Sequence, residues 1–504
     1  MLQGTASNVG KSVLTAGLCR LLWQDGYRVA PFKAQNMSNN SFVTPSGGEI
    51  GRAQAVQAAA CNLPPHVDMN PILLKPESEA RSQVVVLGKS TEAMSAREYY
   101  RRKLELRPVT LEALARLRAQ YDVVVIEGAG SPAEINLRSV DLVNMGLARA
   151  VDAPVVLVGD IDRGGVFAHL YGTLELLEPE DRALVRGFII NKFRGDKSIL
   201  DPGVEAIAAR TGVPCLGVVP WVANHGLPEE DSVVLDGHGA AHPAPGAVLD
   251  IAVIKLPRIS NFTDFEPLQA ESGVSLRYVE RADALGQPDV IIVPGTKSTM
   301  ADLRFLREAG FAVALRRHAR AGRLLLGICG GLQMLGGHIL DPLGVESDET
   351  EAEGLGLLPL ETTFEREKTT VEAKGLVLAA PGVFGAARGL PVAGYEIHNG
   401  QSRLIGEAGP LLRLTHRAGW PVDTVDGLIN AEGTVAGTYV HGLFDSDPFR
   451  HAFLQELAAR KGVTLPEQAD EPAAPDGDVF DRMADLLRQH LDIPAIYRIA
   501  GLAT

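Results

Sequence analysis

Gly4-Thr-Ala-Ser-Asn-Val-Gly10-Lys11-Ser12, followed by the apolar helical run Val13 to Leu22, decides the first half of the chain. Successive backbone N–H groups in a glycine-rich loop converge on phosphate oxygens at a helix N-terminus. Lys11 adds a point charge, the Ser12 hydroxyl can ligate Mg²⁺, and Gly4 and Gly10 permit the turn. The gap between the first glycine and Gly-Lys is one residue longer than the usual four. Such a loop normally follows a complete buried strand, yet only Met1-Leu2-Gln3 precede Gly4. Either the first strand is unusually short or the start is assigned too late.

Working outward, short β-branched runs alternate with helical stretches: Val123-Val-Val-Ile126, Pro154 to Val158, Gly187 to Ile190 and Cys215 to Val219. That alternation predicts parallel βαβ units with helices on both sheet faces. A Gly/Ala/Pro/His-rich stretch, Leu235 to Gly246, interrupts it and reads as a linker. A second α/β series follows with Asp250 to Ile254, Asp289 to Val293 and Arg323 to Ile328. The expected division is 1–234 for a phosphate-loop domain, 235–249 for the linker and 250–504 for a second domain. The second domain ends in a loose acidic segment from Glu467 to Asp478 and an amphipathic helix around Val479 to Leu491.

Composition supports this α/β, two-domain reading. At 504 residues the chain exceeds one ordinary core, and it is 46% hydrophobic but only 5% aromatic. No apolar run approaches the roughly 20 residues of a membrane span. A net charge of −14 without a basic cluster argues against nucleic acid as a partner. The scattered Cys19, Cys61, Cys215 and Cys329 form no C-x-x-C pair and fit a reducing cytoplasm. No export signal precedes the glycine loop. The sequence carries no signal of oligomeric state.

Glu127, in Val123-Val-Val-Ile-Glu127-Gly-Ala-Gly130, stands at the carboxyl end of a buried strand, where open sheets present ligand groups. With Ser12 and the phosphates of ATP it forms a chemically sufficient magnesium site, and Glu49 is a weaker second candidate. Asn191, after another strand, is a candidate for reading the nucleotide base; a turn-forming Asn is the alternative.

The second site centres on Leu324-Leu-Leu-Gly-Ile-Cys329-Gly-Gly-Leu-Gln-Met-Leu335. A cysteine on a sharp strand-to-helix turn with small neighbours has nucleophile-elbow geometry, and the helix N-terminus stabilises a thiolate. Gly437-Thr-Tyr-Val-His441-Gly442 supplies a strand-end histidine as its partner base. Gly295, on the turn of Val293-Pro-Gly-Thr-Lys-Ser298, is placed to join Gly330 in an oxyanion hole.

The loop spacing resembles the dethiobiotin-synthetase-like branch of phosphate-loop proteins, and Lys33 matches the second phosphate-site lysine of that pattern. The two sites together resemble a class I glutamine amidotransferase domain behind an ATP-dependent amide-forming domain. Four longer strings narrow this to the cobyric acid synthase family of the cobalamin pathway: Gly159-Asp-Ile-Asp-Arg-Gly-Gly-Val-Phe-Ala168, Pro31 to Asn40 with Gly48 to Gln54, Val293 to Ser298, and Gly394-Tyr-Glu-Ile-His-Asn-Gly400. The resemblance runs nearly end to end. It implies amidation of four side-chain carboxylates of a corrinoid, adenosylcobyrinic acid a,c-diamide, with glutamine and MgATP, and an internal passage for ammonia.

Most class I amidotransferases place Glu two residues after the histidine; here position 443 is Leu. The resemblance therefore implies a Cys-His dyad or a third member from elsewhere, with Glu396 and Asp445 as unranked candidates. His398 reads as structural or substrate-contacting. Two rivals remain: the sister a,c-diamide synthetase, which a substrate assay separates, and a partitioning-type switch ATPase, which has no use for Cys329.

Overall fold

The computed structural model describes residues 1–504 except 79, 223–224, 229–241, 379–380, 467–477 and 503–504. In the N-terminal half, β1 (Leu2–Gly4) pairs in parallel with β4 (Val155–Asp160), followed by β5 (Val185–Phe193) and β6 (Cys215–Pro220). On its other side a bridge from Leu2 to Glu127 joins the parallel pair β2 (Val29–Phe32) and β3 (Val123–Ile126). The first strand is three residues long, and all three are buried. Helix α1 (Lys11–Gln24) buries Leu14, Leu18, Leu21 and Leu22 against the sheet.

Between β2 and β3 the chain inserts an element that the βαβ rhythm does not announce. Residues 35–37, 72–76, 81–86 and 89–95 form a largely antiparallel four-stranded sheet, and 41–43 with 49–51 form a hairpin beside it. Their strands are short and carry polar residues, so a search for continuous apolar runs passes over them.

The C-terminal half is one mixed sheet. Its parallel part holds β7 (Leu249–Ile254), β8 (Val274–Val279), β9 (Val290–Val293), β10 (Leu324–Ile328) and β15 (Val435–Thr438). Beyond β15 the sheet continues through antiparallel β14 (Trp420–Ile429), β13 (Gly409–Arg417), β11 (Leu360–Val377) and β12 (Pro391–Leu404). Fully buried Ile251, Val253, Ile292, Leu325 and Leu326 make a core of the continuous apolar kind that parallel strands require.

The closing amphipathic helix, α2 (Val479–His490), departs from expectation. The division at 250–504 assigns it to the second domain, but it packs on α1 of the first. Met483, Ala484 and Leu487 enter the same core as Leu14 and Leu18. A Cβ on Gly17 would lie 2.7 Å from Leu487, so the glycine allows the helices to approach. Arg20 Nε to Asp481 (2.6 Å) and Arg488 to Asp25 fasten the polar edges. The expected linker core, 235–241, and the acidic segment 467–477 lie outside the described residues.

Candidate active sites

The phosphate loop ends on Gly10, whose φ of 94° belongs to the left-handed region, and a Cβ there would meet the Asn191 amide at 2.2 Å. Glycine is therefore required by both backbone and space. Asn191 donates from Nδ2 to the Val9 carbonyl at 2.9 Å, and Lys192 donates to the Asn8 carbonyl at 2.6 Å. Asn191 lines the cleft, but its amide braces the loop, a different task from the base reading expected of it. Lys11 curls back so that Nζ donates to the carbonyls of Ala6 (3.1 Å) and Gly130 (3.3 Å), over the space where phosphates would lie.

Glu127 is completely buried just beyond β3. One carboxylate oxygen accepts from Ser12 Oγ (2.8 Å) and Lys33 Nζ (2.9 Å); the other accepts from Gln57 Nε2 (2.5 Å). Burial would raise its pKa, but the Lys33 ammonium, and Lys11 beyond it, hold it below the usual carboxylate range. Gly4, Gly10, Lys11, Ser12, Lys33, Glu127 and Asn191 thus gather around one cleft of about 1720 Å³, which the C-terminal half also walls with Phe262, Glu266 and Tyr278.

Glu49 does not join them. It is buried in the inserted hairpin, where one oxygen accepts from Lys75 (2.5 Å) and Ser41 (2.8 Å) and the other from Lys368 (2.6 Å). Burial alone would raise this carboxyl; Lys368 and Lys75 instead hold it far below its ordinary value. With two ammoniums on its oxygens it is no magnesium ligand, and the expectation is corrected.

Cys329 follows β10 with φ 51° and ψ −109°, a strained conformation for a residue with a side chain. The elbow survives because its neighbours are small: a Cβ on Gly331 would lie 1.9 Å from the Val293 carbonyl oxygen. Strand β15 is the register neighbour of β10, Ile328 facing Thr438, so His441 emerges beside the thiol. Cys329, Gly330 and His441 line one small cavity of about 50 Å³. Gly295 lies against it, its would-be Cβ 2.8 Å from His441 Cε1.

The third member is Asp264, which sequence reasoning missed. His441 Nδ1 lies 2.6 Å from Asp264 Oδ2, and Gly442 N donates to Asp264 Oδ1 at 3.1 Å. That bond places the Nδ1 proton on the carboxylate side and turns Nε2 toward the thiol. Tyr395 stacks on the imidazole at 5.3 Å, closing it from water. Burial lowers the His441 pKa, but the charges of Asp264 and Cys329 outweigh it and raise it to about 10.

Glu396 and Asp445 are corrected accordingly. Glu396 is bonded to Arg417 at 2.7 and 2.9 Å, and Asp445 lies on the turn after Gly442, pushed up to about 6 by burial. His398 stacks on Tyr439 and bonds the Gly400 carbonyl, a packing role. Asp264 carries no strand-end signal of the kind that singled out Glu127: β7 ends at Ile254, and Asp264 stands farther on, in the short helical turn Phe262–Phe265.

Residues 1–232 match the CobQ/CobB/MinD/ParA nucleotide binding domain, and 250–449 match the CobB/CobQ-like glutamine amidotransferase domain. A cobyric acid synthase of Sorangium cellulosum is 52% identical over 513 residues, covering 100% of this chain and 98% of its own. The chain belongs to the cobyric acid synthase family. Two further cobyric acid synthases, from Dehalococcoides mccartyi and Photorhabdus laumondii, are each 52% identical over 99% of this chain and 97% of theirs. In this synthase family member, nucleotide-binding and glutamine-using domains share one chain. Among the described residues no helix is long and apolar enough to cross a membrane.

Proposed function

We propose that the chain amidates the b, d, e and g carboxylates of adenosylcobyrinic acid a,c-diamide to adenosylcobyric acid, consuming glutamine and MgATP. The observation that carries this reading is the nearness, within one chain of this family, of a buried Cys329–His441–Asp264 relay and an open phosphate-loop cleft. Only a turn separates them: Ser260 and Asn261 line the small cavity, and the next residue, Phe262, lines the cleft.

A carboxylate is a poor electrophile, so ATP transfers its γ-phosphoryl group to it, giving an acyl phosphate and ADP; Lys11 and Lys33 neutralise charge that grows on the phosphates. Ser12 and Glu127 fit the magnesium of MgATP, since their hard oxygens already lie 2.8 Å apart and that ion keeps phosphate and water as its other ligands. Bound there, the ion would offset phosphate charge.

In the other site Cys329 Sγ attacks the glutamine amide carbon, with Gly295 and Gly330 as the oxyanion donors. His441 gives its proton to the departing nitrogen, releasing ammonia and leaving a thioester. Water, deprotonated by His441, then cleaves the thioester to glutamate and restores the thiol. Ammonia crosses at the 260–263 turn and displaces phosphate from the acyl phosphate, forming the amide. The turn is fastened to the first domain by Ser41 N to Asn261 Oδ1 (3.0 Å) and Thr263 Oγ1 to Asn40 Oδ1 (3.2 Å).

We divide the labour between 1–234 and 250–461, joined by 235–249, with α2 serving the first part. Four free cysteines support a reducing, cytoplasmic setting. Mass spectrometry of the corrinoid after incubation with the protein, MgATP and glutamine tests the reading: four successive decreases of about one dalton, each OH replaced by NH₂, are expected. An unchanged corrinoid mass rejects it.

A further inference from the structure

The cavity beside Cys329 contains a charge that the reaction above leaves unexplained. Lys75, from the inserted sheet of the first domain, and Lys368, from the second, both line it. Their side chains are only 4% and 10% exposed. Lys368 sits at the register shift of β11, between Phe364 and Thr369, where the strand leaves its partner and reaches across the domain seam.

Both ammoniums bond the same carboxylate, Glu49, at 2.5 and 2.6 Å; they also donate to the neutral Ser41 (3.0 Å) and Gln83 (3.5 Å). Two cations therefore share one anion, leaving one positive charge in excess in a buried place. Lys297, also on the cavity wall, is matched by its own partner, Glu77, at 2.8 Å. The remaining titratable wall groups are Cys329, which faces His441 at the other end, Glu346, His398 and His441 itself. Buried charges are expensive unless matched, so an excess cation facing a cavity marks a place for an anion.

We propose that Lys368 and Lys75 bind the α-carboxylate of glutamine while its side-chain amide lies at Cys329. The proposal rests on the glutaminase reading of Cys329 and deepens it. Glutamine is an amide joined by a short carbon chain to a carboxylate, so filling one end of the cavity at the thiol brings an anion to the other. Burial, opposed by Glu49 and reinforced by Lys75 and Lys297, lowers the Lys368 pKa to about 8. Because one lysine comes from each domain, glutamine would be held fully only when the two domains are docked. Donor release would then be confined to assembled enzyme.

The test compares glutamine with 4-aminobutanamide, which keeps the amide and the amine but lacks the α-carboxylate. Lys368→Met and Lys75→Met, made separately in the full chain, should each raise the KM for glutamine at least about tenfold with kcat little changed, the range expected for losing a charged hydrogen bond. Neither should alter kcat/KM for 4-aminobutanamide, and ammonium-driven amidation should persist. An unchanged glutamine KM in both variants, or an equal loss on both amides, overturns the proposal. So does loss of ammonium-driven amidation in both, which would make the cluster a docking element. A wild-type chain that releases no ammonia from glutamine would overturn the glutaminase reading and this proposal with it, whereas an active wild type with unaffected variants overturns the proposal alone.

Discussion

The two sites use one construction and reach opposite ends. Each sets a buried carboxylate beyond a parallel strand, Glu127 directly after β3 and Asp264 on the short helical turn Phe262–Phe265 that follows β7, and each carboxylate holds a nitrogen, Lys33 or His441. Around Glu127 the protein leaves a cleft of about 1720 Å³; around Asp264 it closes down to about 50 Å³, with His441 only 1% exposed. A lysine paired with a carboxylate beside an open cleft can turn to an incoming phosphate. A titratable histidine sealed behind Tyr395 can pass a proton without losing it to bulk water.

The most severe way to break the comparison is to remove one centre and ask whether the other survives. Cys329→Ser should cut glutamine-dependent amidation on the order of ten-thousandfold, serine being the poorer nucleophile, yet keep amidation driven by ammonium near pH 8.5. Amidation assays with both nitrogen donors check this, and failure with both in a folded, ATP-binding variant would end the separation. Lys11→Ala should do the reverse: amidation falls about a thousandfold with either donor, since a clamp on growing phosphate charge is gone. Glutamate release should continue, and near-normal amidation would remove the loop from the mechanism.

A smaller effect sharpens the identity of the third group. Asp264→Asn should lower glutaminase kcat on the order of a hundredfold, whereas Glu396→Gln and Asp445→Asn should change it little. A large loss in either of the latter alone would restore it as the orienting residue.

The smallest effect is thermodynamic. His441 is raised from an ordinary 6.5 to about 10, so the folded chain keeps a proton that the unfolded chain has released. The stabilisation is fully present below about pH 6.5 and is lost as pH climbs through about 10. Melting temperatures measured across that window should fall with pH, and Asp264→Asn should flatten the fall. A slope unchanged by the substitution would dissociate the shift from the pair.

Sequence made the local devices legible and left the assembled ones obscure. The loop from Gly4 to Ser12, the elbow at Cys329 and the strand-end His441 each carry their chemistry within a few consecutive residues. Asp264 stands 177 residues from His441 in the chain and is brought to it by the turn Phe262–Phe265, which no local pattern announces. Glu49 shows the opposite error: its glycine-flanked setting suggested a ligand, but the inserted hairpin turns it toward Lys75 and Lys368. Helix α2 is visible as an amphipathic stripe, yet nothing in a stripe says which groove receives it.

That helix also sets an order of assembly. Leu14 and Leu18 leave the ribosome long before Met483 and Leu487, which enter the same core. The phosphate-loop domain must therefore wait, its α1 groove open, while the whole amidotransferase half is synthesised and folds. Cutting the gene at the linker would give a first fragment lacking the element that seals its own core. The chain's two halves are tied together by this helix as well as by the linker.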